Sequence, residues 1–191
     1  MIHLPANAAL LVVDVQQGFD DPKWGLRNNL DAELNVARLI AAWRGSARPV
    51  LHVLHDSSSP DSPLRPGIAG NAPKPEAEPE EGELVLRKTV NSAFIGTSLE
   101  ADLRRAGIDT LVVVGLTTNH CISTSVRMAG NLDFVTYLVS DATATFDRVG
   151  LDGRTRPAEE VHASALSDLQ GEFATVVNTD AILGALRGRA A

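Results

Sequence analysis

Short apolar runs alternate along this chain with segments whose apolar residues recur at helical spacing. Ala8–Val13 is apolar throughout, as suits a strand covered on both faces, and Asp14 closes it. A polar and aromatic loop follows, with turn formers at Gly18, Pro22 and Gly25. Behind an N-cap at Asp31, Val36, Leu39, Ile40 and Trp43 share one helical face, and Gly45 ends that helix. Pro49–Leu54 predicts a second strand. Glu83–Arg87 predicts a third with Lys88 at its end, Thr110–Val114 a fourth, Asp133–Val139 a fifth and Phe173–Val177 a sixth. A capping pair at Thr97 and Glu100 opens a helix that ends at Gly107. Further helices follow the fourth strand, span Pro157–Gln170, and start from Asn178 or Thr179.

Alternation of this kind predicts one α/β domain over residues 1–191: a three-layer α/β/α sandwich around a mostly parallel six-stranded sheet. His55–Glu83 interrupts the rhythm. It is rich in Pro, Ser, Gly and Glu, has no period, and reads either as a rim over a site or as a solvated loop. DATATFDRVGLDGRTR, after the fifth strand, reads as a second polar loop.

Composition narrows the function. The 191 residues carry a formal net charge of −7, which disfavours nucleic acid and anionic membranes as partners. No stretch reaches the length of a membrane span, the first residues lack a secretory pattern, and a single cysteine allows no internal disulfide. A cytoplasmic protein is expected.

Ligands of open α/β sheets bind beyond the carboxyl ends of the strands. Three reactive side chains fall there: Asp14 after the first strand, Lys88 after the third and Cys121 after the fourth. An acid, a cation and a thiol make a nucleophilic set. A free thiol of pKa ~8.5 is about 3% thiolate at neutral pH. A helix start and a nearby Lys88 are expected to lower that pKa; a charge pair at ~4 Å is worth roughly 4 kcal/mol at an effective dielectric near 20, before desolvation. Asp14 could take the thiol proton and return it to a leaving amine, and the corner Gly115–Thr117 could present N–H groups to an oxyanion. Taken singly, each residue has an inert reading: a small buried hydrophobe, a loop cap, a surface charge.

VVDVQQGF, KTVNSAF and GLTTNHCISTSVRMA, in this order and with DATATFDR and VHASAL, resemble the isochorismatase-like cysteine hydrolases over nearly the whole chain. The resemblance implies that Asp14, Lys88 and Cys121 match the family's Asp-Lys-Cys triad and that Leu116 and Thr117 match its cis peptide beside the oxyanion site. Nicotinamidases of the family carry an Asp-x-His metal pair after the second strand. Here Asp56 is followed by Ser57 and Ser58, so neither a metal nor an organic cofactor is expected. True isochorismatases replace the nucleophilic cysteine. Retention of Cys121 implies C–N hydrolysis of a small molecule through a thioester, with an isochorismatase-type or ester hydrolysis, or a non-catalytic binding role, as alternatives. A homo-oligomer is expected from the family and the small subunit.

Phe19, Trp24 and Phe94 lie in loops beside the triad and are assigned to substrate binding, together with His120 next to the nucleophile. A supporting hydrogen bond is the other reading of His120. His52 and His162 read as structural. Arg148 and Arg154 read as a solvated face rather than as contacts to an anionic substrate group.

Overall fold

The computed structural model describes residues 2–188. Strand β1 (Ala9–Val13) leads through two 3-10 turns into helix α1 (Ala32–Gly45), strand β2 (Val50–His55) and, after a long connection, strand β3 (Leu84–Lys88). Helix α2 (Leu99–Arg105), strand β4 (Thr110–Leu116), helix α3 (Ser123–Asn131) and strand β5 (Val135–Ala144) follow. A two-stranded hairpin, β6 (Arg148–Val149) with β7 (Thr155–Arg156), precedes helix α4 (Ala158–Leu169), strand β8 (Thr175–Val177) and helix α5 (Thr179–Arg187).

The main sheet has six strands in the order β3-β2-β1-β4-β5-β8, and every pairing in it is parallel. β1 and β4 lie at its centre and are buried from end to end, which is why their sequences are apolar without alternation. β3, at the edge, alternates in exposure until Lys88, which is buried. α1 and α5 cover one face, where Val36, Leu39, Trp43 and Ile182 pack on Leu10, Val12 and Val112. α2, α3 and α4 cover the other, with Leu99, Leu103, Val126, Ala129 and Leu169 against Leu11, Val113 and Leu138. Burial of each such side chain is worth ~1.5–3 kcal/mol.

The strand order reverses between β1 and β4, and a crevice opens at their carboxyl ends. Two backbone features shape it. Gly115 has φ +121°, and a Cβ there would lie 1.9 Å from the Val13 carbonyl oxygen, so only glycine lets β4 pass this close to β1. Asp14 itself adopts φ 55°, in the left-handed region that a short polar side chain tolerates better than most.

Several local expectations are corrected. The Thr97/Glu100 capping box does not form: Ser98 is the N-cap residue of α2 and its hydroxyl donates to Asp102 Oδ2 at 2.7 Å, while the Thr97 hydroxyl donates to the Ala93 carbonyl at 2.6 Å. Asp31 holds the N-cap position of α1 without a side-chain bond. Asn178 does cap α5, accepting from the Ala181 N–H at 2.8 Å. β5 runs on to Ala144, so the first part of the supposed polar loop after it is strand, and Thr143, Ala144, Thr145 and Phe146 are buried. The register shift between Val113 and Gly115 in the β4–β5 pairing lets this longer strand continue beside β4. No helix among the described residues is long and apolar enough to cross a membrane.

The 56–83 connection is tied down rather than loose. Asn71 donates to the carbonyls of His55 and Leu64, at 3.0 and 2.8 Å, and to Asp56 Oδ1 at 3.0 Å. Buried Lys74 pairs with Asp20 and Glu33. Gln16, buried at the end of β1, bridges to both backbone groups of His55 and to the Asn71 carbonyl.

Candidate active site

At the switch point the chain brings together residues from the ends of three neighbouring strands. Lys88 is fully buried, and its ammonium donates to Asp14 Oδ2 at 2.6 Å, to His55 Nδ1 at 3.1 Å and to Cys121 Sγ at 3.3 Å. Its three N–H groups are thereby matched to three acceptors. The sheet order makes this possible: β1 supplies Asp14, its neighbour β2 ends at His55, and β3 ends at Lys88 in register with His55. Cys121 arrives from the other side of β1. After the cis Leu116–Thr117 peptide, residues Thr118–Ile122 form a π-helical turn that runs into α3.

That turn is held from outside the site. The Thr118 hydroxyl meets His162 Nδ1 at 2.8 Å, and the Thr145 hydroxyl donates to Asn119 Oδ1 at 2.5 Å. His162 therefore has the structural place read from sequence, and so does His52, which is buried against Glu83 at 2.9 Å.

Electrostatics here differ from the expectation for an activated thiol. Cys121 lies inside a widened turn, not at a free helix end. Burial pushes its thiol up to about 12, the Asp14 charge adds to that, and Lys88 opposes it. The sulfur accordingly keeps its proton, directed to Asn91 Oδ1 at 3.8 Å. Burial also raises the Asp14 carboxyl, with Lys88 acting against the rise. Asp14 Oδ1 is buried and has no hydrogen-bond partner, which leaves one oxygen open to a proton. His55 and His120 are each pushed below the usual histidine range, first by burial and then by the cation beside them, Lys88 and Arg148 respectively.

Asp14, His55 and Cys121 offer donor atoms within 4.8 Å of one another, a set that could ligate a metal ion. Yet all three already accept from the Lys88 ammonium, so the cation of this cluster is a side chain. Asp56, where a metal pair would begin, is engaged by Arg87 at 2.6 Å. The residues present do not fit a bound zinc.

A cavity of about 130 Å³ opens onto the cluster, lined by Asp14, Phe19, Trp24, His55, Leu64, Asn91, Thr117, His120, Cys121 and Arg148. A larger hollow of about 460 Å³ lies along α4 and contains no nucleophilic cluster. Phe19, Trp24 and His120 thus line the cavity. Phe94 does not: it packs in the core under α3, with ring centroids 5.9 Å from Phe134. Phe146 stands in its stead behind the cavity wall, 6.2 Å from Phe19 and 5.9 Å from Trp24. Arg148 is the other correction. It is half-buried and lines the cavity instead of forming a solvated face. Leu64 shows that the 56–83 connection contributes a wall. Neither Leu64 nor Asn91 was recognisable as cavity-lining from the sequence; both depend on how loops fold back.

A model of the isochorismatase domain family matches residues 8–181. The chain belongs to the isochorismatase family. It is 45% identical to the uncharacterized isochorismatase family protein YrdC of Bacillus subtilis (strain 168), over 92% of this chain and 94% of that protein. A crystal structure of a hydrolase of the isochorismatase family from Chromobacterium violaceum ATCC 12472 superposes with a TM-score of 0.95 at 47% identity, covering 98% of this chain and 97% of that one. More distantly, the chain is 27% identical to the ureidoacrylate amidohydrolase RutB of Methylobacterium radiotolerans, over 95% of this chain and 80% of that protein. The isochorismatase family assignment and the parallel α/β fold agree, and the chain is an isochorismatase-family hydrolase with amidohydrolase relatives.

Proposed function

We propose that the protein hydrolyses a C–N bond of a small molecule by nucleophilic catalysis from Cys121. The observation that carries this reading is the convergence of Asp14 and Cys121 on one buried Lys88 at the mouth of a small cavity.

The resting thiol is protonated, so the proton has to leave as the nucleophile attacks. Asp14, with Oδ1 unpartnered, accepts it, and Sγ bonds to the substrate carbonyl carbon. Lys88 holds positive charge beside both sulfur and carboxylate throughout, and once Asp14 is protonated that charge balances the oxyanion. Backbone N–H groups of Thr117 and Cys121 receive the oxyanion. Collapse of the tetrahedral intermediate breaks the C–N bond, and Asp14 returns its proton to the departing ammonia or amine. Water then adds to the thioester, giving its proton to Asp14. The acid product leaves and the thiol is restored. Phe19, Trp24 and Leu64 supply the apolar walls that exclude bulk water.

A screen for ammonia release across amides, carbamoyl compounds and lactams tests this, with Cys121→Ala as control. Turnover that falls at least ~10³-fold in the control is expected. Hydrolysis of esters or vinyl ethers alone, or turnover that survives in Cys121→Ala, overturns the reading.

A further inference from the structure

Cys121 has few ties of its own. Its sulfur meets Lys88 at 3.3 Å and Asn91 Oδ1 at 3.8 Å, and no side chain caps the turn that carries it or helix α3 behind it. A π-helical turn is a rare, widened form, and here its support comes from other segments. Two hydrogen bonds reach consecutive residues of the turn. Thr118 is held by His162 of α4 at 2.8 Å, and Asn119 by Thr145, just past β5, at 2.5 Å. Where the sulfur stands therefore depends on what fixes His162 and Thr145.

Both meet one dipeptide, Asn28–Asn29, in the loop before α1. Arg27 bridges antiparallel to Phe146, and beside that bridge Asn28 clasps Thr145 twice. The Asn28 N–H donates to the Thr145 carbonyl at 3.1 Å, and Asn28 Oδ1 accepts from the buried Thr145 N–H at 2.8 Å. Asn28 Nδ2 also donates to Glu159 Oε2 at 3.3 Å, one helical turn before His162 on α4. Asn29 Nδ2 donates to the carbonyls of Ser140 and Thr143, at 2.9 and 2.7 Å, and lies 3.4 Å from His162 Nε2. Asn29 takes φ 43°, in the left-handed region that asparagine tolerates better than most residues. Apolar burial does not anchor this stretch, since Leu26 and Leu30 are 76% and 80% exposed. Its hold on β5 and α4 runs through the two carboxamides.

We infer that Asn28 and Asn29 are positioning residues for the reaction at Cys121. Neither lines the cavity. They act through Thr145 on Asn119 and through His162 on Thr118, two and three residues before the sulfur. A reacting atom misplaced by about 1 Å costs on the order of 100-fold in rate, so a small drift of the turn is enough. Loss of the clasp moves the nucleophile and leaves the cavity walls in place, so kcat falls while KM holds. The kinetic part rests on the hydrolase reading above; the placing of the thiol rests on the hydrogen bonds alone.

The test reads turnover and thiol separately. Ammonia release gives kcat and KM on an amide found in the screen above, and iodoacetamide alkylation of Cys121 at pH ~8.5 reports the sulfur without a substrate. Asn28→Ala removes the acceptor of the Thr145 N–H, whereas Asn28→Asp keeps an oxygen in its place. Asn29→Gly keeps the backbone conformation and removes the carboxamide. Asn28→Ala and Asn29→Gly are expected to lower kcat about 10- to 100-fold with KM within roughly twofold, and to speed alkylation about threefold or more as the turn loosens. Asn28→Asp should keep the larger part of kcat, a rescue that a general loss of packing would not give. Thr118→Val and Thr145→Val, close in shape to the native side chains, remove the hydroxyls at the far ends of the two threads. They should reproduce the kcat effect even where an asparagine variant fails to fold. Wild-type kcat and alkylation in every folded variant, a rise in KM at constant kcat, or Asn28→Asp no better than Asn28→Ala overturns the inference. Faster alkylation in variants of a protein that hydrolyses no amide would keep the positioning role and remove the hydrolase reading.

Discussion

The ammonium of Lys88 donates to Nδ1 of His55 at 3.1 Å, and this places a neutral imidazole where the triad needs a third acceptor. Burial, and then the charge of Lys88 beside it, holds the ring below the usual histidine range, so it meets Lys88 as a neutral acceptor. His55→Phe should free one N–H of Lys88 and loosen its aim at sulfur and carboxylate. A hydrogen bond from a charged donor is worth ~1.5–3 kcal/mol, so kcat should fall about 10- to 150-fold with little change in KM. His55→Gln, which can offer an oxygen at the same place, should recover part of the loss. Steady-state kinetics of the two variants on any identified substrate decide it; equal loss in both would make the role one of packing.

Lys88 cannot be removed without leaving Asp14 charged and buried. Lys88→Met should therefore cost stability as well as activity, by ~3–5 kcal/mol in chemical denaturation. The double variant Asp14→Asn/Lys88→Met should regain most of that stability and none of the turnover. Failure of the second change to restore folding would show that the two charges are not energetically coupled.

The thiol should be quiet at rest. Burial and Asp14 hold it near 12, so iodoacetamide at neutral pH should alkylate Cys121 more slowly than it alkylates free cysteine. Asp14→Asn removes the opposing charge while Lys88 remains, so the same measurement should show faster alkylation with turnover abolished. An Asp14→Asn protein whose thiol reacts no faster than wild type would mean that the carboxylate does not govern the sulfur.

Acid should unfold the protein in two stages. His52, His55 and His162 all lie below their ordinary value of 6.5, burial being the first cause of each. Glu33 is held down at about 2 despite burial, by hydrogen bonds from Arg27 and Lys74; Glu83 is held at about 2, again against burial, chiefly by Arg44. In every case the unfolded chain binds protons more readily, so stability is fully present above the unfolded pKa and is lost as pH falls. The melting temperature should decline from pH ~6.5 as the histidines take up protons, and fall more steeply between 4.5 and about 2, where the two glutamates contribute up to ~3 kcal/mol each. Glu33→Gln should flatten the lower limb. A melting temperature independent of pH from 7 down to 3 would contradict these assignments.

Much of the scaffold can be read from local pattern. The uninterrupted apolar runs of β1 and β4 announce strands covered on both faces, and Asp14, Lys88 and Cys121 stand out because each ends or follows a strand legible in the sequence. What escapes is whatever depends on a distant segment. Phe94 and Phe146 are both loop aromatics in sequence, yet the first turns into the core beside Phe134 and the second backs the cavity, because β5 continues further than its apolar start suggests. Arg148 looks like a surface charge until the β6–β7 hairpin folds it inward. A helix start and a lysine beside Cys121 are visible in sequence, whereas the depth of burial that works against them is not.

Gly115 adds a constraint of another kind. The carbonyl of Val13, which a methyl group at Gly115 would strike, belongs to the residue directly before Asp14. Side-chain bulk at this one position would act as a wedge, prising apart the two central strands at the point where one presents the acid and the other leads to the sulfur. The working distance between base and nucleophile is thus gauged by a chemically inert hydrogen atom, and a change there would disable the enzyme while leaving every reactive group in place.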